Sequence, residues 1–291
     1  DSKFIFYVLD GMYSEIRKLT GDSGNDRRGL NMRIIRDIEI PVPSLAEQQR
    51  IVAKLDAAFA EIDNSERILK DRLKKLSTLF NSYIEENLRN LKKNFPVVEL
   101  KEVIKSVQYG TSKKCSKEGE YPVLRMGNMQ GGKFDLDDLV YLDDQMEANK
   151  YQISKFDVFF NRTNSALHVG KAAIWEGQEK ALFAGYLIRV NYDKAKVDPY
   201  FLNFFLNVES TRKYGYSVMS ESINQANING TKLKQYPFVR ADLDTQKTLS
   251  SKFCDLEKRL YEAINLTKQS LELYGKLKER VLSRELEKEE S

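Results

Sequence analysis

Ile34-Ile35-Arg36-Asp37-Ile38-Glu39-Ile40-Pro41-Val42-Pro43-Ser44-Leu45-Ala46-Glu47-Gln48-Gln49-Arg50-Ile51 has a counterpart later in the chain, Lys232-Leu233-Lys234-Gln235-Tyr236-Pro237-Phe238-Val239-Arg240-Ala241-Asp242-Leu243-Asp244-Thr245-Gln246-Lys247-Thr248-Leu249. Apolar residues fall at the same places: Ile35 with Leu233, Ile38 with Tyr236, Ile40 with Phe238, Leu45 with Leu243, Ile51 with Leu249. Gln48 meets Gln246, 198 residues on. The same shift carries Phe6 and Tyr7 onto Phe204 and Phe205, Asn31 onto Asn229, Leu55 onto Phe253, Ile62 onto Leu260 and Leu73 onto Leu271. Solenoid repeats run roughly 20–50 residues, so this period means two large, similar modules.

Each copy runs into a long helical pattern. Ile51, Leu55, Phe59, Ile62, Leu69, Leu73, Leu76, Phe80, Ile84, Leu88 and Leu91 recur in three- and four-residue steps, as do Leu249, Phe253, Leu256, Leu260, Ile264, Leu271, Tyr274, Leu277 and Val281. This is one apolar stripe on an otherwise charged helix. No proline interrupts either stretch, and Gly275 is the only glycine. Ser44 and Asp242 stand where a short oxygen side chain caps the first turn. About 45 residues at about 1.5 Å each make a rod of about 70 Å. The two stripes are expected to bury each other as an antiparallel coiled-coil pair, which makes the rod a spacer.

Composition narrows the rest. The 291 residues carry 47 Lys and Arg against 43 Asp and Glu, a net charge of +4, which is too mild to decide a partner. Cys115 and Cys254 are far apart and isolated, so neither a disulfide framework nor a zinc cluster is indicated, and a reducing, cytoplasmic setting is expected. No run of 18 apolar residues exists, and no membrane role is expected. The start at Asp1, straight into Phe4-Ile5-Phe6-Tyr7-Val8-Leu9, reads as a piece of a longer polypeptide.

Four parts follow. Residues 1–43 match the end of the second module and read as the tail of a first one. Residues 44–94 read as the first long helix, broken by Phe95-Pro96 because the residue before a proline leaves the helical region. Residues 95–241 read as a complete globular module and 242–291 as the second long helix. Within the module, Val97–Leu100, Tyr121–Met126, Val140–Leu142, Phe156–Phe160, Gly170–Trp175 and Ala181–Val190 are short runs rich in Val, Ile, Phe and Tyr between turn residues, as strands are. Asp198-Pro199 opens a short helix. The expected fold class is α+β: a strand-rich module on two long antiparallel helices.

Residues 40–52, Ile-Pro-Val-Pro-Ser-Leu-Ala-Glu-Gln-Gln-Arg-Ile-Val, leading into a long helix, resemble the central region of the specificity subunit of type I restriction-modification enzymes. Phe156–Ser165 followed by Val169-Gly170-Lys171 resembles the heart of a target recognition domain of that family, and Asn224–Gly230 its closing loop. The resemblance runs from residue 1 to about 285. It implies a DNA reader without chemistry of its own, directing adenine methyltransferase (modification) subunits and restriction or motor subunits to a bipartite site on double-stranded DNA. It implies no cofactor on this chain, S-adenosylmethionine belonging to the methyltransferase. The family's full subunit carries two recognition domains. Here one complete domain and the tail of another are visible, so a second copy of the chain is a further candidate partner.

The residues agree with an absence of catalysis. His168 is the single histidine and sits in a polar loop. There is no G-x-x-x-x-G-K-[ST] phosphate loop, no metal-ligand spacing and no Asn-Pro-Pro-aromatic element of an adenine methyltransferase.

Specific readout needs bidentate groups at base edges, held in register by cations and amides on phosphates. Two loops supply both. The first holds Tyr109, Thr111, Ser112, Lys113, Lys114 and Lys117, with Gly110 allowing a close backbone approach; the second holds Arg162, Thr163, Asn164 and Ser165, with Lys171 following. Arg162 and Asn164 have the chemistry for guanine and adenine edges. Arg125 with Asn128, and Gln225 with Asn227, are third and fourth candidates. Residues 98–240 hold 20 Lys or Arg and 17 Asp or Glu, so the charge must be polarised. The acidic run Asp135, Asp137, Asp138, Asp143, Asp144, Glu147 is expected on the side away from phosphates. Two other classes fit less well: a coiled-coil scaffold or RNA-binding module, and the recognition end of a fused restriction-methylation enzyme. The aromatics sit mostly inside apolar runs rather than on a stacking platform.

Overall fold

The protein is described by a computed structural model covering residues 1–19, 30, 32–166, 168–222 and 225–287. Asn31 and Asn224, named above, lie outside the described residues. The helices are α1 (Ser2–Gly11), α2 (Tyr13–Leu19), α3 (Met32–Arg36), α4 (Leu45–Asn94), α5 (Gln145–Tyr151), α6 (Pro199–Asn207), α7 (Glu209–Val218), α8 (Gly230–Lys234) and α9 (Leu243–Glu287).

The repeat is physical. α3 and α8 match residue for residue under the 198-residue shift, and α4 and α9 begin at equivalent positions. The two caps form as the side chains require: Glu47 N–H donates to Ser44 Oγ at 3.3 Å and Thr245 N–H to Asp242 Oδ1 at 2.7 Å. α4 stops just before Phe95-Pro96. Gln48 and Gln246 do the same work one turn into each long helix. Gln48 Nε2 donates to Pro43 O and Gln246 Nε2 to Ala241 O, both at 2.8 Å, and 43 and 241 are equivalent positions. Gln246 is fully buried, donates also to Lys196 O at 2.8 Å, and accepts from Asp198 N–H at 3.0 Å. Asp198 in turn caps α6 through Phe201 N–H and receives the Ser250 hydroxyl. Gln246→Ala strands these backbone groups without water, and an expected loss of about 2–3 kcal/mol in urea unfolding checks it.

The chain packs as two units, Asp1–Leu76 with Leu260–Ser291, and Ser77–Arg259. In the first, Phe4, Tyr7 and Val8 of α1 close on Ile51 and Leu55 of α4 and Leu282 of α9. Lys54 meets Glu285 at 2.7 Å and Lys278 meets Asp63, so low numbers on one helix face high numbers on the other and the pair is antiparallel. Mutual burial is only partial, however. Leu266 and Leu273 are each 64 % exposed, and Leu277, Ile68 and Leu76 also face solvent. At 3.6 residues per turn Leu266, Leu273 and Leu277 fall together beside the paired face, so the apolar stripe is wider than one partner helix can cover.

The second unit holds the sheets. Strands Ile104–Tyr109, Leu187–Tyr192, Val158–Asn161 and Ala172–Ile174 lie in that order, all antiparallel. Leu182–Phe183 runs parallel to Tyr121–Leu124, whose other neighbour is Val140–Leu142. Ser220–Ser222, Gln225–Asn227 and Thr163–Asn164 form a third, small sheet. Phe160, Ile188, Phe201, Leu202, Phe205 and Phe238 make one core beneath α6, and Phe159, Phe183, Trp175 and Leu187 a second on the other face of the central strands. Alternation along Val158–Asn161 sends Phe159 one way and Phe160 the other.

Two departures bear on the central sheet. Ile104–Tyr109, absent from the expected strands, is a strand. The single run 181–190 is two strands, separated at Ala184–Tyr186. There Gly185 N–H donates to Thr111 O at 2.7 Å, and Thr111 bridges Ala184, which turns the chain and leaves Tyr186 52 % exposed.

Candidate functional site

Four segments meet at one end of the central sheet, stitched by backbone. Thr111 N–H donates to Phe183 O (2.9 Å), Arg162 N–H to Tyr186 O (3.0 Å) and Ile228 N–H to Arg162 O (2.8 Å). Thr163 and Asn164 pair with Asn227 and Ala226, and Asn227 Nδ2 donates to Thr163 Oγ1 at 2.7 Å. Gly230 N–H, at the start of α8, donates to the Tyr109 hydroxyl at 2.8 Å. The Arg162 guanidinium lies over the Tyr109 ring, 4.8 Å from its centroid. Tyr109, Thr111, Arg162, Thr163, Asn164, Gln225 and Asn227 are thus brought together from three of the four candidate groups.

Their roles divide by burial. Thr111 and Thr163 are buried; the Thr111 hydroxyl accepts from Lys113 N–H at 3.1 Å and turns the chain out of the sheet edge. Asn164 Oδ1 accepts from Ser165 N–H at 2.8 Å, shaping the loop, while Ser165 and Gln225 are exposed. Lys171 follows Gly170 back towards the same strand, its carbonyl accepting from Asn161 N–H at 2.8 Å. Burial, and then the nearby Arg212, hold the Lys171 ammonium below its usual pKa.

The remaining candidates lie elsewhere in the bonding pattern. Arg125 Nη2 bonds the Asp138 carboxylate at 2.9 Å, and the buried Asn128 clamps Asp135 O and Asp138 O at 3.0 and 2.9 Å. Asn128 therefore holds a turn together. Lys113 is bonded to Asp144, which raises the lysine's pKa and lowers the carboxylate's. The acidic run thus sits against two of the proposed cations instead of standing apart from them. Ser112, Lys114 and Lys117 are exposed, and among the described residues neither lysine forms an ion pair.

Arg162 is different. Arg125, Arg189 and Arg240 pair with Asp138, Asp157 and Glu102. Among the described residues no carboxylate pairs with Arg162; Nη1 reaches Gly185 O at 3.5 Å, and the buried Nε has no partner. A half-buried, uncompensated guanidinium is costly unless something rich in acceptors completes it. Sequence reading missed Gly185 and Tyr186 beside it, because they were hidden within an apolar run. The available signal was the glycine itself, which inside a strand pattern marks a close backbone approach.

His168 is exposed in the turn after Ser165. Burial raises the pKa of both thiols, that of Cys254 to about 11, whereas nucleophilic cysteines need the opposite shift. Among the described residues no group of His, Cys, Asp and Glu is placed to hold a metal, and no helix is long and apolar enough to cross a membrane.

The chain thus combines a pair of long antiparallel helices with an α+β module that has a polar, loop-built site around Arg162. The chain matches the family model of the type I restriction modification DNA specificity domain over residues 1–75 and 92–273, and it belongs to that family. It is 28 % identical over 215 residues to a putative type I restriction enzyme MjaX specificity subunit of Methanocaldococcus jannaschii, covering 71 % of this chain and 50 % of the relative. It is 27 % identical over 213 residues to the type I restriction enzyme EcoKI specificity subunit of Escherichia coli, covering 68 % and 46 %. The chain spans about half the length of these curated relatives. Its fold is like that of a chain in a solved structure concerned with complex assembly and conformational transition of the type I R-M system (TM-score 0.75, 15 % identity, 97 % of this chain and 70 % of the other). The HsdS subunit from Thermoanaerobacter tengcongensis aligns with a TM-score of 0.55 at 14 % identity, over 98 % and 69 %.

Proposed function

We propose that this chain is a non-catalytic reader of double-stranded DNA that directs adenine methyltransferase and restriction subunits to a bipartite site. Residues 95–241 are the recognition module, residues 1–43 the tail of another, and the long helices the spacer between half-sites. The observation that carries the reading is Arg162: a guanidinium fixed at a loop edge, without a carboxylate, in a chain of this family. Arg162, Asn164, Asn227 and Gln225 supply base-edge chemistry, while Lys171, Lys114 and Lys117 suit phosphates.

Selection from a randomised duplex library by the full chain tests this. Enrichment of a defined sequence, with single-stranded RNA a poor competitor, is the expected result; equal retention of all duplexes, or preference for RNA, contradicts it. Lys171→Ala is expected to weaken binding to all duplexes by the same factor and to lower the slope of log affinity against log salt by about one. Binding curves at several salt concentrations check it.

The proposed methyltransferase contact is the uncovered flank of the helix pair at Leu266, Leu273 and Leu277. An apolar surface of this kind on a helix already paired suits a protein partner. Leu266→Lys with Leu273→Lys is expected to abolish co-purification with the methyltransferase subunit while leaving duplex selection intact. Retained co-purification, with loss only of self-association, assigns the flank to a second copy instead.

A further inference from the structure

Arg162 is held through its backbone and against one ring. Its amide donates to Tyr186 O and its carbonyl accepts from Ile228 N–H, so neither backbone group is free to let the residue swing. Its guanidinium rests over Tyr109, and Tyr109 is itself pinned, its hydroxyl taking the Gly230 N–H at 2.8 Å. Gly230 is required for that approach: a Cβ there would stand 3.0 Å from the Tyr109 oxygen and 2.8 Å from Val107 Cγ2. The strand Ile104–Tyr109 therefore connects the closing loop to the arginine through one phenol ring.

A phosphate contact needs charge and tolerates a mobile side chain, as exposed lysines provide. A base edge needs angles. Bidentate donation to guanine O6 and N7 works only if the planar fork is correctly aimed, and a preset fork loses less rotamer freedom on binding.

We propose that Tyr109 is a positioning residue that presets the Arg162 guanidinium, and that the pair together specifies one guanine in the recognised sequence. This rests on the DNA-reading function proposed above and adds which side chains set one of its letters.

The test is a double-mutant cycle on the full chain, read by selection from a randomised duplex library. The wild-type chain should enrich a motif with guanine preferred at one position by about tenfold or more. Arg162→Ala should bring that preference to within about twofold of none and leave the other positions unchanged. Tyr109→Leu should relax the same position to a similar degree, Tyr109→Phe, which keeps the ring but loses its anchor to Gly230, should relax it less than Tyr109→Leu, and the Tyr109→Leu, Arg162→Ala double variant should be no more relaxed than either alone. Thermal melting verifies that each variant is folded; should Tyr109→Leu not fold, Tyr109→Met carries the same arm. Relaxation by Arg162→Ala without relaxation by Tyr109→Leu overturns the positioning role. Relaxation at two different positions makes Tyr109 a contact in its own right and overturns it too. Uniform weakening by Arg162→Ala with a lower salt slope assigns the arginine to phosphate and overturns the guanine reading. A wild-type chain that enriches no motif defeats the function itself, an outcome distinct from these.

Discussion

Gly110→Ala is expected to destabilise the recognition module by about 3 kcal/mol and to abolish sequence selection. The added Cβ would lie 2.1 Å from Phe183 O, 2.5 Å from Ala184 O and 2.6 Å from Ala184 C. All three are backbone atoms, so no flexible side chain can swing aside. The strand edge must separate, and with it go the bonds from Thr111 N–H to Phe183 O and from Gly185 N–H to Thr111 O. Tyr109 precedes the displaced residue and Arg162 rests on Tyr109, so the disturbance passes directly into the proposed reading edge. For a unit of this size about 3 kcal/mol lowers the melting temperature by about 6–12 °C, which calorimetry resolves. A melting temperature within 2 °C of wild type would show that the strands relax without loss.

Phe253→Ala is the second large effect, expected at about 3–5 kcal/mol. Phe253 is fully buried on α9 and meets Phe204 edge-on at 5.4 Å and Tyr83 at 6.0 Å. It ties α9 to α4 and to α6 within one unit, and the cavity left by its removal has aromatic walls that cannot collapse readily. Urea unfolding followed by tryptophan fluorescence measures it, since Trp175 belongs to the same unit. Because Leu55 is the equivalent position in the first copy and is also fully buried, Leu55→Ala should unfold the other unit first, without moving the Trp175 signal.

Much of this fold was legible because its signals are local or repeated. The caps at Ser44 and Asp242, the stop at Pro96 and the α6 start at Asp198 each depend on a few neighbouring residues. The repeat made Gln48 and Gln246 visible before their identical bonds to Pro43 and Ala241 were known. What escaped reading depends on partners far along the chain. Ile104–Tyr109 is a strand because residues 187–192 lie beside it, and its alternation is masked by Lys105 and Gln108. The sequence shows charge but not pairing, so Lys113 and Arg125 looked like free cations until Asp144 and Asp138 were found against them. Leu76 and Leu277 look like core in a periodic pattern but are exposed, since periodicity does not reveal how wide a face the partner helix covers. In the candidate site, Arg162 and Asn164 were readable from loop chemistry. Tyr186 was not, because an exposed tyrosine between two strands has the same one-dimensional signature as a buried one.

The most direct measurement of the central claim is adenine-methylation mapping of DNA from cells expressing the chain with the methyltransferase subunit it is proposed to serve. Parallel cultures carry Arg162→Ala with Asn164→Ala, and the methyltransferase alone. A bipartite methylated motif that needs the chain, and that relaxes in one half with the double substitution, is the predicted result. Identical methylation with and without the chain would contradict it.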